Sequence, residues 1–90
     1  MGIQKTFKAL SDRTRREILN LLRQGRMTAG DISSGFSMTQ ATVSHHLSVL
    51  KDAGLVIDSK EGKYIYYELN SSVIEDILGW IMTLKGDDVK

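Results

Sequence analysis

The chain has 90 residues and a mass of 10.1 kDa, which suffices for one folded domain and not for two. Hydrophobic residues at 41% and charged residues at 26% argue against a disordered or fibrous chain. The absence of cysteine excludes disulfides, thiolate metal sites and thiol catalysis. No apolar run approaches the roughly 18 residues of a membrane span, and residues 1–8 lack a signal-peptide core, so we expect a cytoplasmic protein.

Charge is distributed unevenly along the chain, although the net charge is only +1. Residues 1–63 contain ten Lys and Arg against six Asp and Glu, whereas residues 64–90 contain two Lys against five Asp and Glu. A basic body followed by an acidic end indicates an anionic partner on one face of the molecule. A chance asymmetry is the alternative at this point.

Helical periodicity dominates the start of the chain. A short first helix is predicted from three apolar residues at helical spacing: Ile3, Phe7 and Leu10. Ser11 and Asp12 are typical of a helix cap, so a second helix is predicted over residues 14–22. Gly25 is predicted to end that helix.

A second pair of helices is predicted next. Thr28 is expected to cap a short third helix over residues 29–34. A turn over residues 35–38 leads to a fourth helix over residues 39–53, with Gly54 at its C-terminal end. Two helices joined by a tight, glycine-containing turn are typical of a helix-turn-helix.

The sequence pattern then changes from helical to extended. Residues 55–59 and the β-branched and aromatic residues 64–69 are predicted to form two strands, joined by a turn over residues 60–63. Residues 70–72 are predicted to cap a last helix over residues 73–84. The order α-α-α-α-β-β-α predicts a mostly α fold with a two-stranded β-wing, a single winged helix-turn-helix domain over residues 1–90.

The fourth helix has two distinct faces when residues are placed about 100° apart. Val43, Leu47 and Leu50 fall within roughly 60° of one another and form a core stripe. The other side carries short polar groups, one methyl group and no large apolar side chain. An ordinary solvated face usually carries Glu, Lys and Gln, whereas Thr and Ser are poor helix formers, so we favour contact with a DNA major groove.

This polar face suits the edges of base pairs. Gln40 is suited to adenine, Ala41 to a thymine methyl group, and Ser44 to donating or accepting a hydrogen bond. His45 is placed to contact a base or a phosphate. The predicted base contacts are Thr39, Gln40, Ala41, Ser44, His45 and Ser48.

Cations around this helix are predicted to bind the DNA backbone: Arg13, Lys51, Lys60 and Lys63. Arg16 fits either an anionic partner or a structural ion pair. His46 lies at the border of the apolar stripe and is predicted to pack or to form a hydrogen bond. Because neighbours on a helix diverge by about 100°, His45 and His46 do not favour a shared metal site, and we expect no metal or cofactor.

The last helix carries more apolar surface than one small core needs. Its apolar residues cover an arc of roughly 160°. The excess would be exposed unless a second chain covered it, so we favour a homodimer over packing within one domain alone. The predicted interface consists of apolar residues of the first and last helices: Ile3, Phe7, Ile74, Ile77, Leu78, Trp80, Ile81 and Leu84.

Together these segments resemble the ArsR/SmtB family of small bacterial winged-helix repressors. The resemblance rests on segments similar to the family's opening, recognition helix and wing: residues 7–12, 14–19, 44–47, 50–51, 53–56, 62–63 and 66–69. Length and spacing are most similar to the SdpR-type autorepressors of that family. The resemblance implies a homodimer that represses transcription from an inverted-repeat operator. It also implies base contacts at Gln40, Ala41, Ser44 and His45, backbone contacts on the wing, and a dimer interface on the first and last helices.

The chain departs from the family pattern in two places. Arg13 stands where the family usually has proline, which predicts a small loss of stability and a possible phosphate contact. Metal-sensing members carry cysteines in the third helix, or Asp and His pairs on the last helix. Residues 28–36 contain no cysteine, and residues 73–84 contain Glu75 and Asp76 but no histidine. Adjacent carboxylates alone make a poor transition-metal site, so we predict that the chain does not sense metal through either family site.

These observations favour a DNA-binding repressor of its own operon, released by a regulatory partner protein or by turnover and dilution. The alternative is a winged-helix protein–protein interaction module without specific DNA binding, which the low net charge favours. An enzyme is not expected, because the sequence offers no nucleophile–base pair, phosphate-binding glycine loop or metal cluster.

Overall fold

A computed structural model describes residues 3–86; residues 1–2 and 87–90 of the predicted domain lie outside the described residues. The described elements follow in this order: α1 (Ile3–Leu10), α2 (Arg13–Leu22), β1 (Met27–Thr28), α3 (Ala29–Ser33), α4 (Gln40–Asp52), β2 (Val56–Glu61), β3 (Tyr64–Leu69) and α5 (Ser71–Leu84). This is the predicted winged helix-turn-helix order with one additional strand, β1, before α3. In the part of the chain described here, no helix is both long and apolar enough to cross a membrane.

Hydrogen bonds fix the junction between α1 and α2. Asp12 is the N-cap of α2, as predicted, and its carboxylate accepts a hydrogen bond from the backbone N–H of Arg15 at 3.0 Å. The side chains of Arg15 and Arg16 donate to carbonyl groups at the end of α1, at 2.8 and 2.7 Å. The last carbonyls of a helix have no partner within it, so these two arginines stabilise the end of α1. Among the described residues, Arg16 therefore binds backbone rather than a carboxylate.

Capping residues also set the bounds of α3 and α4. Thr28 and Asp31 exchange hydrogen bonds in a capping box, which confirms the predicted cap of α3. Thr39 lies just before α4 instead of starting it, and its hydroxyl accepts the N–H of Thr42 at 3.2 Å. At the other end of α4, Gly54 has φ +78°, a left-handed conformation that ends helices at low cost in glycine.

The three strands form one antiparallel sheet in the order β1-β3-β2. β1 was not predicted, because two residues carry no alternating pattern and its pairing with β3 is a tertiary contact. The predicted four-residue turn is also wrong, since Glu61 still pairs with Tyr64. The loop therefore contains only Gly62 and Lys63, and Gly62 has φ +63°, as tight hairpin loops require.

All five helices and the sheet contribute to a single core within the described residues. Its buried apolar side chains are Ala9, Ile18, Leu22, Ile32, Val43, Leu47, Leu50, Ala53, Leu55, Val56 and Val73. α5 begins at Ser71, two residues before its predicted start, because Ser71 and Ser72 adopt the first turn rather than the cap. The cap is Asn70, whose side chain forms no capping hydrogen bond.

Candidate nucleic-acid interface

α4 places its apolar stripe in the core and its polar side in solvent. Val43, Leu47 and Leu50 have 0% exposure, which confirms the predicted stripe. The residues predicted to contact bases are all exposed: Thr39, Gln40, Ala41, Ser44, His45 and Ser48. Thr39 differs from the others, since its hydroxyl already caps α4. Contact of this face with DNA stays a prediction.

The predicted base contacts of α4 form three strips when placed about 100° apart. Ala41 and Ser48 lie near the middle of the exposed arc. Gln40 and Ser44 are displaced from them by about 50–90° toward one flank, and His45 is displaced by about 50° toward the other flank. Each flank borders a concave surface.

The flank of Gln40 and Ser44 borders a cleft of about 410 Å³ between α4 and the hairpin of β2 and β3. We call it the wing cleft. Lys63, Tyr64 and Ile65 of the hairpin line its other side. The polar side chains of Gln40 and Ser44 and the ammonium group of Lys63 therefore line the same cleft.

The flank of His45 borders a second cleft of about 400 Å³, which we call the α1 cleft. Its other walls include Lys5 and Lys8 of α1 and Arg15 of α2, and Asp52 of α4 also lines it. Sequence reasoning assigned α1 to the dimer interface and missed its lysines. Their spacing of three residues, which places them on one side of a helix, was the available signal.

Lys51 is one of the predicted backbone contacts, and the structure gives it a protein partner. Its Nζ lies 2.9 Å from Oδ2 of Asp58 in β2. This side-chain hydrogen bond raises the pKa of Lys51. Lys51 therefore joins α4 to the wing, and a DNA phosphate would have to share or displace the carboxylate of Asp58.

A second ion pair joins the wing tip to the residue that precedes β1. The guanidinium of Arg26 forms a bidentate salt bridge with the carboxylate of Glu61. The hydrogen bond from Nη2 to Oε1 is 3.0 Å long. The hydrogen bond from Arg26 lowers the pKa of Glu61. The guanidinium also lies 4.4 Å from the centroid of the Tyr66 ring. Sequence reasoning missed Arg26, because its partners are distant in sequence.

The remaining predicted cations differ in their surroundings. Arg13, Lys60 and Lys63 are exposed, and Nζ of Lys63 lies 5.6 Å from the centroid of the Tyr64 ring. His46 is partly buried and its Nδ1 lies 3.4 Å from Nη1 of Arg15, which confirms its predicted hydrogen-bonding role. Across residues 3–86, His, Asp and Glu side chains form no group of three or more that could hold a metal ion. The predicted absence of metal sensing stays a prediction.

An apolar surface extends over α1 and α5, and we call it the α1–α5 face. Its exposed members range from 36% to 67% exposure and comprise Ile3, Phe7, Ile74, Leu78, Trp80, Ile81 and Leu84. The rings of Phe7 and Trp80 are 5.7 Å apart and join the two helices. Ile77, also predicted for the interface, is partly buried against the chain's own core.

The sequence is similar to those of known bacterial regulators. Residues 12–58 match the sequence profile described as bacterial regulatory protein, arsR family. The transcriptional repressor SdpR of Bacillus subtilis (strain 168) is 46% identical over 88 residues, which cover 96% of this chain and 98% of that protein.

Two solved structures share the fold. An ArsR-like transcriptional regulator from Rhodococcus sp. RHA1 has a TM-score of 0.83 at 26% identity, covering 92% of this chain and 78% of that one. The second is the homodimeric winged helix-turn-helix DNA-binding domain of a possible ArsR-family regulator from Mycobacterium bovis. It has a TM-score of 0.77 at 27% identity, and the match covers 98% of this chain and 82% of that one.

The profile match runs from the cap of α2 into β2 and so includes the whole helix-turn-helix. The match to the Bacillus subtilis repressor extends this similarity over nearly the full chain. The chain therefore belongs to the arsR family of bacterial regulatory proteins and is a DNA-binding transcriptional regulator with a winged helix-turn-helix fold.

Proposed function

We propose that the chain is a homodimeric repressor that binds an inverted-repeat operator and represses its own operon. The observation that carries this proposal is the exposed side of α4, whose short polar side chains stand between two clefts. Short side chains let the helix backbone approach the base edges of a major groove. The similarity to a transcriptional repressor over nearly the whole chain supports repression as the outcome of binding.

The proposed contacts divide into base recognition and backbone binding. Gln40, Ala41, Ser44, His45 and Ser48 would contact base edges, where Gln suits adenine and a methyl group suits thymine. The backbone contacts would come from Lys60 and Lys63 on the wing, with Arg13 and Lys51. Backbone contacts add affinity and position the helix, whereas base contacts determine the sequence.

Dimerisation would supply the two-fold symmetry of the operator. The α1–α5 face exposes large apolar side chains on two adjoining helices, and such patches on soluble domains mark interaction sites. The homodimeric domain from Mycobacterium bovis supports a second copy as the partner. A two-fold dimer would place its two α4 helices on half-sites about 34 Å apart along the DNA. A dimer bound at a promoter would block transcription by occlusion.

A reporter fusion tests repression directly. DNA upstream of the chain's own gene would drive the reporter, in cells with and without the protein. We expect reporter output to fall when the wild-type chain is supplied, and to recover with Ser44→Ala/His45→Ala at equal protein level. Unchanged output with the wild-type chain would contradict autorepression.

An unbiased selection from random DNA tests the operator geometry. The proposal predicts an inverted repeat whose half-sites are one helical turn apart. Recovery of no enriched sequence, with weak and salt-insensitive binding, would favour a protein–protein interaction module instead, the alternative that the net charge of +1 supports.

A further inference from the structure

The lysines of α1 lie in a position that neither base recognition nor dimerisation uses. Lys5 and Lys8 are both exposed and line the α1 cleft, whose opposite wall includes His45 of the α4 flank. Placed about 100° apart, they lie roughly 140–160° around α1 from Ile3 and about 100–160° from Phe7. α1 thus presents an apolar side to the α1–α5 face and a cationic side to the cleft beside α4.

The α1 cleft carries a net positive charge. Lys5 and Lys8 form no salt bridge within residues 3–86. Arg15 is held in place by its bonds to carbonyls of α1, including a 3.3 Å bond from Nη2 to the carbonyl of Lys8. Asp52 is the single acidic residue among the described lining residues. Two exposed ammonium groups and one hydrogen-bonded guanidinium therefore outweigh one carboxylate.

The geometry of DNA gives this charge a partner. A major groove is about 12 Å wide and is bounded by a phosphate backbone on each side. An α-helix with its side chains is about 10–12 Å across, so a helix in the groove brings both of its flanks near phosphates. The wing provides cations on the Gln40 and Ser44 flank, where Lys63 lines the wing cleft. On the His45 flank the corresponding cations are those of the α1 cleft.

We propose that Lys5 and Lys8 bind the second DNA backbone, so that α4 is held between a wing contact on one side and an α1 contact on the other. This inference rests on the proposed function. It assigns to α1 a role in DNA binding that is separate from the dimer interface. Because phosphates carry no sequence information, the two lysines should add affinity for every DNA sequence about equally.

Salt dependence measures these contacts. A dimer of the Lys5→Gln/Lys8→Gln variant lacks four lysines, so the slope of log Kd against log salt should fall in magnitude by up to about 3.6, at roughly 0.9 per phosphate. Affinity should fall for operator and scrambled DNA alike, leaving their ratio unchanged. The matched control is Arg23→Gln/Lys85→Gln, which removes the same charge from exposed positions outside both clefts and should change the slope little.

A second variant makes the α1 cleft more positive instead of less positive. Asp52→Asn removes the carboxylate of the α1 cleft and should increase affinity for both DNAs. Thermal unfolding and sedimentation would establish that all variants fold and dimerise as the wild type does.

The inference is overturned if the lysine variant and its charge-matched control lose affinity and slope equally, or if Asp52→Asn leaves binding unchanged. A selective loss for the operator would also overturn it, since that would make the lysines base contacts. A wild-type chain that shows no specific DNA binding would instead overturn the proposed function, and this inference with it.

Discussion

Asp12 is a single residue on which the start of α2 depends. It accepts the N–H of Arg15, and this backbone hydrogen bond lowers the pKa of its carboxyl group. We expect Asp12→Ala to reduce the free energy of unfolding at pH 7 by about 1 kcal/mol, the usual cost of losing an N-cap. Asn caps helices as well as Asp does, so Asp12→Asn should retain most of this stability. Urea denaturation followed by circular dichroism measures both values.

The same residue predicts a dependence of stability on pH. Because the pKa of Asp12 is lower in the folded chain, its contribution is present above the unfolded pKa of about 3.9 and is lost as pH falls through the folded value. Between about pH 4 and pH 2 the wild type should therefore lose more stability than Asp12→Asn. Equal losses in the two chains, or an Asn variant as unstable as the Ala variant at pH 7, would contradict the capping role.

Side-chain partners were predictable from sequence only where they are local. The caps at Asp12 and Thr28 follow from residue type and position, and both are confirmed. The partner of Lys51 and the carbonyls bound by Arg15 and Arg16 are set by the packing of separate elements, which no local pattern encodes. The exposed side of α4 was predictable because helical period alone separates it from the buried stripe.

The wing depends on a contact from outside its own hairpin. Arg26 pairs with Glu61 at the end of β2 and stacks near Tyr66 of β3. We expect Arg26→Glu to weaken DNA binding several-fold. The new carboxylate would repel that of Glu61 and displace the wing tip, and both carboxylates would repel nearby DNA phosphates. The exchange Arg26→Glu/Glu61→Arg should recover most of the affinity, since it restores the pair. Fluorescence anisotropy with operator DNA measures both.

The exchanged variant also separates two roles of Arg26. If Arg26 positions the wing, the double variant binds nearly as the wild type does, with an unchanged salt slope. Binding as weak as that of the single variant would show that Arg26 itself contacts DNA and that its pairing with Glu61 is incidental.

Whole elements were predictable in proportion to their length. The long helices and the two wing strands carry repeated patterns, and each appears within a few residues of its predicted place. β1 has only two residues and is defined by its pairing with β3, so no sequence pattern predicts it. The hairpin loop was predicted too long, because Lys60 and Glu61 are polar and yet still pair across the strands.

The α1–α5 face is the proposed dimer interface. Leu84 is 67% exposed and Leu78 is 57% exposed, so burial of either side chain stabilises the isolated chain only a little. We expect Leu78→Glu/Leu84→Glu to leave the fold intact and to yield a monomer in sedimentation, because four buried like charges would face one another in a dimer. Operator affinity should fall about 100-fold or more, since the two half-sites would no longer be bound together.

Ile57→Glu is the control for this change. Ile57 is 45% exposed and apolar, but it lies on β2 and outside the α1–α5 face. The Ile57→Glu substitution should therefore leave the dimer unchanged. A leucine variant that stays dimeric, or a control that dissociates equally, would place the interface elsewhere.

The central claim is that the exposed side of α4 recognises a specific DNA sequence. The most direct test is fluorescence anisotropy with DNA from upstream of the chain's own gene, at low and moderate salt, with scrambled DNA for comparison and Ser44→Ala/His45→Ala as the second protein. The proposed function predicts tight binding of the wild type to the upstream DNA alone, weakening as salt rises. The variant should lose this preference and keep the dimer. Equal or negligible binding of the wild type to both DNAs, or a variant that keeps the preference, would contradict the claim.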